Sequence, residues 1–434
     1  MLYKKLRTMP TIHTVCALRE AKGIIIKMNL NYKALDLISD IYGESFYLLD
    51  SKQFIINLNE LQTAFRKIYS NSHIAYSYKT NYTPKLCKIV DQLGGYAEIV
   101  SDMEYELTKR IGVKPEKVIF NGPYKNHNAV CELLLSGGTV NIDSIYELDI
   151  IKQIADENPK KTLNVGIRCN FDIGDNVVSR FGFDINSEDF NKVLSFVATC
   201  NNINLIGIHC HFATRCLETW TERAKGMIKL IDDRLGDSPE YVDLGGGLFG
   251  KMGDSLKAQF DYYIPTYEDY ANAVAKKFAE HYPDQKPMLF IEPGSALVGD
   301  AMKFAAKVIN IKVVRGKPIA TLLGSIYNIN PTLNKKNPPI HVYHKSLDAI
   351  KAYENLDFGG FTCIESDYMY RGYTGGLEVG DYIVFDNVGS YSLVLKPPFI
   401  LPNFAVVEYN DVSNKVELIK RRENFDDLFH TFQF

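Results

Sequence analysis

Residues 73–100 read HIAYSYKTNYTPKLCKIVDQLGGYAEIV, and this stretch decides how the rest of the chain is parsed. Its β-branched and aromatic start, 73–79, predicts a buried strand. From 84 to 93 apolar residues recur three and four apart, the spacing of an amphipathic helix, and 96–100 again reads as a strand. Strand, helix and strand in succession make a unit whose two strands lie parallel. The alternation continues outward, with further strands predicted at 117–122, 139–143, 163–170, 205–212, 241–247 and 288–294. Helical patterns fall between them at 103–111, 144–157, 188–199, 219–235 and 267–281. Eight such strands predict an α/β chain built on a (β/α)8 TIM-type barrel, with a doubly wound open sheet as the competing arrangement.

Beyond residue 300 helical periodicity almost vanishes. Short strands broken by Gly and Pro are predicted at 304–314, 319–323, 340–343, 361–364, 381–386, 391–395 and 404–409, the pattern of a separate all-β domain. Isolated strand candidates at 24–28 and 47–49 fit the same domain. The expected division is therefore 1–45 as a segment contributing to the β-domain, 46–300 as the barrel, and 301–434 as a β-barrel or sandwich.

The 434 residues are 46% hydrophobic and 23% charged, a normal globular balance with ample material for a core. Lys and Arg number 49 against 52 Asp and Glu, a net charge of −3. That offers no electrostatic footprint for nucleic acid or an anionic membrane, so a small-molecule partner is expected. No apolar run approaches a membrane span, and Arg19, Glu20 and Lys22 stand where a secretory signal needs an apolar core. The eight cysteines are scattered without metal-finger spacing, which fits a reducing cytoplasm.

In a barrel the C-terminal strand ends build the active face. Here those ends carry Lys79, Glu98, Asn121, Asp143, Arg168, His211, Gly245 to Gly247 and Glu292. An amine at the end of a buried strand has its charged form disfavoured, and an uncharged Lys79 can add to a carbonyl as a Schiff base; the plainer reading is a lysine reaching solvent. Gly245, Gly246 and Gly247 close a strand with bare N–H groups that can cradle phosphate, or simply make a tight turn. Glu292, followed by Gly294 and Ser295, supplies a carboxylate beside a second glycine turn. A carboxylate facing a pyridine nitrogen keeps it protonated, so these parts together fit pyridoxal phosphate. His211 suits stacking on a ring, whereas His209, two residues earlier, is expected to face away as a structural residue. A His-x-His zinc site is the rival, but no third ligand spacing supports it and no metal is expected.

Taken in order, Tyr78-Lys79-Thr80-Asn81, Glu98-Ile-Val-Ser101 with Glu104, Asn141-Ile-Asp143-Ser144, Ser179-Arg-Phe-Gly182, His209-Cys-His211, Gly245-Gly-Gly247, Glu292-Pro-Gly294, Cys363 with Asp367, and Gly389-Ser-Tyr391 resemble the fold type III pyridoxal-phosphate-dependent decarboxylases, the diaminopimelate, ornithine and arginine decarboxylase group. The resemblance spans nearly the whole chain. It implies the barrel plus β-domain of alanine-racemase-like architecture and a homodimer with shared active sites. It makes Lys79 the lysine that holds the cofactor, His211 the stacking residue and Glu292 the pyridinium partner, with Gly247, Gly294 and Tyr391 on the phosphate. Thr214 stands where the family often has a phosphate-binding serine. Cys363 of a second subunit becomes the proton donor, and Asp367 and Tyr327 lie toward the substrate.

Three positions depart from the pattern. Ser295 replaces a usual arginine, Asn330 precedes Pro331 where diaminopimelate decarboxylases have another arginine, and Ile364 follows Cys363 where the ornithine subfamily has an aspartate. Ordinary diaminopimelate is thus not the expected substrate. Arg180, Arg215 and Arg371 remain as cations for a differently placed acid. The reading is decarboxylation of an amino acid, free or within a larger biosynthetic intermediate. The alternatives are an amino-acid racemase, which places an arginine rather than Glu292 at the pyridine nitrogen, and a non-catalytic regulatory homologue.

Overall fold

A computed structural model describes residues 30–236, 239–348, 350–410 and 412–434. The strand candidate at 24–28 lies outside them. Each of the eight barrel strands forms where the pattern predicts: β2 (Ser72–Ser77), β3 (Tyr96–Ile99), β4 (Val118–Phe120), β5 (Thr139–Ile142), β6 (Leu163–Asn170), β8 (Ile203–His209), β9 (Tyr241–Asp243) and β10 (Met288–Ile291). All pair in parallel, in the order β5-β4-β3-β2-β10-β9-β8-β6, and pairing of β5 with β6 closes the ring. The open-sheet alternative is thereby excluded. A two-residue strand, β7 (Phe183–Asp184), extends β6 past the barrel.

The floor of the barrel is a separate apolar layer of Ala75, Ile119, Ile206, Tyr241 and Phe290. Two glycines make room for it. A Cβ on Gly207 would sit 2.1 Å from the Tyr241 ring, and one on Gly166 would sit 1.9 Å from Asn141 Oδ1. The Tyr241 hydroxyl can therefore rise to donate to Asn141 Oδ1 at 2.5 Å, and above this point the interior turns polar. Outside, helices bury one apolar stripe each against the strands. Pro84–Gln92, for example, begins with Pro at its first turn and buries Leu86, Cys87 and Val90.

The second domain is a nine-stranded sheet. Its path runs β15-β14-β12-β11-β1-β17-β18, where β1 is Phe46–Leu49, β11 Met302–Val314, β12 Lys317–Leu322, β14 Ala352–Gly359, β15 Tyr368–Gly376, β17 Ala405–Asn410 and β18 Lys415–Lys420. Strand β16 (Tyr382–Phe385) joins β11, and β13 (Ile340–Tyr343) joins β16. Strand β1 pairs antiparallel with β11 and parallel with β17, so the chain contributes to this sheet through Leu49 before it enters the barrel.

Two expected strands are not strands. Residues 361–364 belong to the turn between β14 and β15, gathered by Thr362 donating N–H and Oγ1 to Asp367. Residues 391–395 start at Tyr391, whose φ of 64° is left-handed and ends extended structure. Three strands of the β-domain escaped the pattern: 352–359, 368–376 and 415–420, each with many exposed or polar positions.

Candidate active site

The ends of β2, β9 and β10 are tied to one another before any side chain is considered. Ser77 N–H donates to Pro293 O at 3.2 Å, and Glu292 N–H donates to Gly245 O at 2.9 Å. After β2 the chain turns at Tyr78–Thr80 with Tyr78 buried, which leaves Lys79 facing the barrel mouth. The β-domain closes one side. Tyr391 N–H donates to Thr80 O at 2.9 Å, and Asn81 Nδ2 donates to Gly389 O at 3.0 Å, so the loop carrying Tyr391 is docked beside Lys79.

The result is a pocket of about 160 Å³ that gathers Lys79, His211, Gly246, Gly247, Glu292, Gly294, Ser295 and Tyr391. Ser77, Thr80, Ala213, Leu248 and Arg215 complete its wall. Of these, Arg215 was seen in the sequence only as a spare cation. Its guanidinium lies 5.3 Å over the Phe249 ring, and its carbonyl accepts from Tyr270 Oη at 2.6 Å.

Lys79 differs from the sequence expectation. Burial acts to lower its pKa, but the carboxylates of Glu98 and Glu292 outweigh it and hold the ammonium above its ordinary value. Glu98 pairs directly with Lys79 Nζ. Asn121 then bridges the two acids, its Nδ2 lying 3.2 Å from Glu98 Oε1 and 2.5 Å from Glu292 Oε1, while Asn141 Nδ2 donates to Asn121 Oδ1 at 2.8 Å. With Glu98 and Glu292 beside it the lysine rests charged.

Glu292 is fully buried. Burial opposes its ionisation, yet His209, followed by Lys79, holds its carboxyl well below the ordinary range. Asp243, two residues before the glycine turn, is raised by burial and by Glu292, and its Oδ1 accepts from Gly245 N–H at 2.8 Å. The negative charge of this pair therefore rests on Glu292. His211 is lowered to about 3 by burial against the opposing pull of Glu292, so its ring is neutral. Its Nδ1 accepts from Gly246 N–H at 2.9 Å, which fixes the proton on Nε2.

His209 does not face away. Its Nε2 lies 3.4 Å from Glu292 Oε2, and His211 Nδ1 lies 3.5 Å from the same oxygen. Residues two apart along an extended chain share a face, so the alternation itself sets His209 on the same side as His211. Glu292 thus stands where a third ligand to the two histidines would, with the three ligand atoms within 4.8 Å of one another. The Gly246 N–H already occupies the Nδ1 lone pair that a metal would need.

Other candidates stand apart. Thr214 donates its hydroxyl to Asp175 at 2.5 Å. Cys363 is exposed on the 361–367 turn, and neither it nor Tyr327 or Asp367 lines the pocket of its own chain. Asp367 is not a free carboxylate for a substrate amine. Oδ1 accepts from Ser325 Oγ at 3.1 Å and Ile326 N–H at 2.7 Å, and Oδ2 accepts from Thr362 N–H and Oγ1. All its acceptor capacity shapes the turn that presents Cys363. Asp143 and Arg168, at adjacent strand ends, pair with each other at 3.0 Å.

The residues fit the cofactor read from the sequence. Glu292 Oε2 is buried and makes no hydrogen bond, which leaves it able to accept from a protonated pyridine nitrogen. Glycine is also required at the rim, since a Cβ on Gly246 would lie 2.4 Å from Glu292 O. A parallel barrel whose mouth holds a lysine, a buried carboxylate and bare glycine turns defines an enzyme that works through an aldehyde cofactor. The model of the pyridoxal-dependent decarboxylase family, pyridoxal binding domain, matches residues 56–299, and the chain belongs to this family.

Diaminopimelate decarboxylase of Aquifex aeolicus is 26% identical over 411 residues, covering 91% of this chain and 92% of the relative. An L-glutamyl-(BtrI acyl-carrier protein) decarboxylase of Niallia circulans is 25% identical over 430 residues, 93% of this chain and 97% of the relative. The crystal structure of diaminopimelate decarboxylase from M. jannaschii superposes with a TM-score of 0.80 at 26% identity, covering 92% and 94% of the two chains. The chain is a carboxy-lyase of amino acids that uses pyridoxal phosphate. The decarboxylase reading thus prevails over racemase and regulatory homologue. No helix among the described residues is long and apolar enough to cross a membrane.

Proposed function

We propose that the pocket removes the α-carboxylate of an amino acid that is either free or carried within a larger biosynthetic intermediate. The observation that carries this is the convergence, on one pocket of about 160 Å³, of Lys79 and a buried Glu292 Oε2 that makes no hydrogen bond. When bound, pyridoxal phosphate supplies a pyridinium ring that accepts the electron pair left as carbon dioxide departs.

The chain's own residues then divide the work. Lys79 Nζ would hold the cofactor at its aldehyde carbon, and Glu98 stands as the partner of the free ammonium. Glu292, kept ionised by His209, holds a proton at the pyridine nitrogen. The neutral His211 ring, on the pocket wall, would stack on the cofactor and exclude water. Gly247, Gly294, Ser295 and Tyr391 would receive the phosphate, with Thr214 behind them, whereas the Gly245 and Gly246 N–H groups are already given to Asp243 and His211. Cys363 of a second copy would give the α-carbon the proton that replaces carbon dioxide and regain one from solvent, so the working unit is a homodimer, and the seven described cysteines, all free, fit a cytoplasmic setting.

Substrate choice follows from the wall. Ser295 brings no cation to the pocket, whereas Arg215 brings a guanidinium that meets an acid on the substrate's far end. The Niallia relative, named for a glutamyl group on a carrier protein, supports including conjugated amino acids. The test is carbon dioxide release from L- and D-amino acids and from amino acids coupled to carrier or citrate-like groups. Release from one of them is expected; α-proton exchange without carbon dioxide would contradict the proposal.

A further inference from the structure

Behind the glycine turn, on the side away from the pocket, the helix Leu217–Leu230 buries Arg223 completely. Arg223 makes its hydrogen bonds only to carbonyl oxygens. Nη1 donates to Gly246 O at 2.7 Å and Leu244 O at 3.4 Å, and Nη2 donates to Phe212 O and Thr214 O, both at 2.7 Å. Trp220, one turn earlier and 4.3 Å beneath the guanidinium, donates Nε1 to Gly247 O at 3.2 Å. Two residues on one helix face therefore hold the loop after β8 and the turn after β9 by their carbonyls.

That grip fixes the opposite edge of each peptide. In a trans peptide the C=O and the following N–H point in opposite directions, and none of these bonds is cis. With the carbonyls of 212, 214, 246 and 247 turned toward the helix, the N–H groups of Ala213, Arg215, Gly247 and Leu248 turn away from it. All four residues line the pocket, and none of these N–H groups has an acceptor among the described residues. Gly247 is required by the same packing, since a Cβ there, at φ 88°, would meet Phe212 O at 3.1 Å and Arg223 Nη2 at 3.6 Å. A guanidinium buried without a carboxylate partner is costly, and an anion held on the far side of the same peptides offsets it.

We propose that Arg223, supported by Trp220, is the positioning residue of the anion cradle: it touches neither cofactor nor substrate, but aims four N–H groups at the cofactor's phosphate. This rests on the reading that pyridoxal phosphate occupies the pocket with its phosphate at the glycine turn. The full-length protein is freed of cofactor and titrated with pyridoxal phosphate and, separately, with pyridoxal, which lacks the phosphate. In Arg223→Met the affinity for pyridoxal phosphate falls about 10- to 100-fold while that for pyridoxal stays within about 2-fold, and Arg223→Lys recovers part of the loss. A parallel fall for both compounds, or no fall, overturns the proposal. If the wild type binds neither compound, the cofactor reading itself has failed.

Should Arg223→Met not fold, the wild type still decides. Deuterium exchange of peptides spanning 213–215 and 247–248 is measured with and without inorganic phosphate. Slowed exchange on adding phosphate is expected. Unchanged exchange in a protein that still binds pyridoxal phosphate contradicts the cradle.

Discussion

Lys79 and Glu98 form an ion pair across adjacent strands, Lys79 lying two residues beyond Ser77, which faces Glu98 in the β2–β3 register. The pair reverses the effect of burial on the amine and keeps the resting lysine charged. Glu98→Gln removes the counter-charge, so the amine deprotonates at lower pH. The pH dependence of cofactor capture by the apo-protein should then move down by about one unit. The sign for stability follows from the raised value: the pair's contribution is complete below the ordinary lysine value of 10.5 and is lost as pH rises through the higher folded one. An unchanged capture profile in Glu98→Gln would contradict the pairing.

His211 titrates in the other direction. Its folded value of about 3, set by burial, lies below the ordinary 6.5. The unfolded chain binds the extra proton between these limits, so the stability this residue contributes is present above pH 6.5 and is lost as pH falls toward 3. Urea denaturation of the apo-protein at several pH values should show His211→Gln with a shallower acid slope than wild type, by up to about one proton. Equal slopes would mean that His211 is not held neutral.

Gly294 is a steric requirement of the site. A Cβ there would lie 2.0 Å from the buried Thr80 Oγ1, on the turn that carries Lys79. Gly294→Ala should cost about 1–3 kcal/mol of stability and weaken cofactor binding, because Lys79 is displaced with Thr80. Thermal unfolding and a cofactor titration measure the two effects; a variant with wild-type affinity would show that the turn is not coupled to the lysine.

Shared sites can be tested by mixing two inactive proteins. Lys79→Ala and Cys363→Ala, refolded together, should recover about a quarter of wild-type activity, since half the dimers are mixed and each mixed dimer has one intact site. No recovery, from proteins that do exchange subunits, would place Cys363 outside its partner's pocket.

The barrel was legible because its strands and helices bury one face each and so write their period into the sequence; all eight barrel strands lie where the alternation put them. Lys79, His211, Gly246, Gly247, Glu292, Gly294 and Ser295 were likewise legible as residues at strand ends and turns, Tyr391 entered only through the resemblance, and the fold brings all eight to one pocket. The β-domain was less readable. Strand β14 alternates poorly and carries Asn355 and Asp357, while Tyr391 occupies a turn that only a left-handed φ reveals. Charge states were the least accessible. Nothing local to residue 79 announces Glu98 from the next strand, and nothing near Asp367 announces the donors from 325 and 326 that use up its carboxylate. Arg223 and His209 act through backbone and burial, which residue type alone does not disclose.

The central claim is that Lys79 is the amine that holds the cofactor. Purified protein reconstituted with pyridoxal phosphate is reduced with borohydride, digested and mapped by mass spectrometry. The expected result is a yellow protein that bleaches, with the reduced phosphopyridoxyl group on Lys79 and no such label in Lys79→Ala. A label on another lysine, or none on a protein that nonetheless releases carbon dioxide from its substrate, would contradict it.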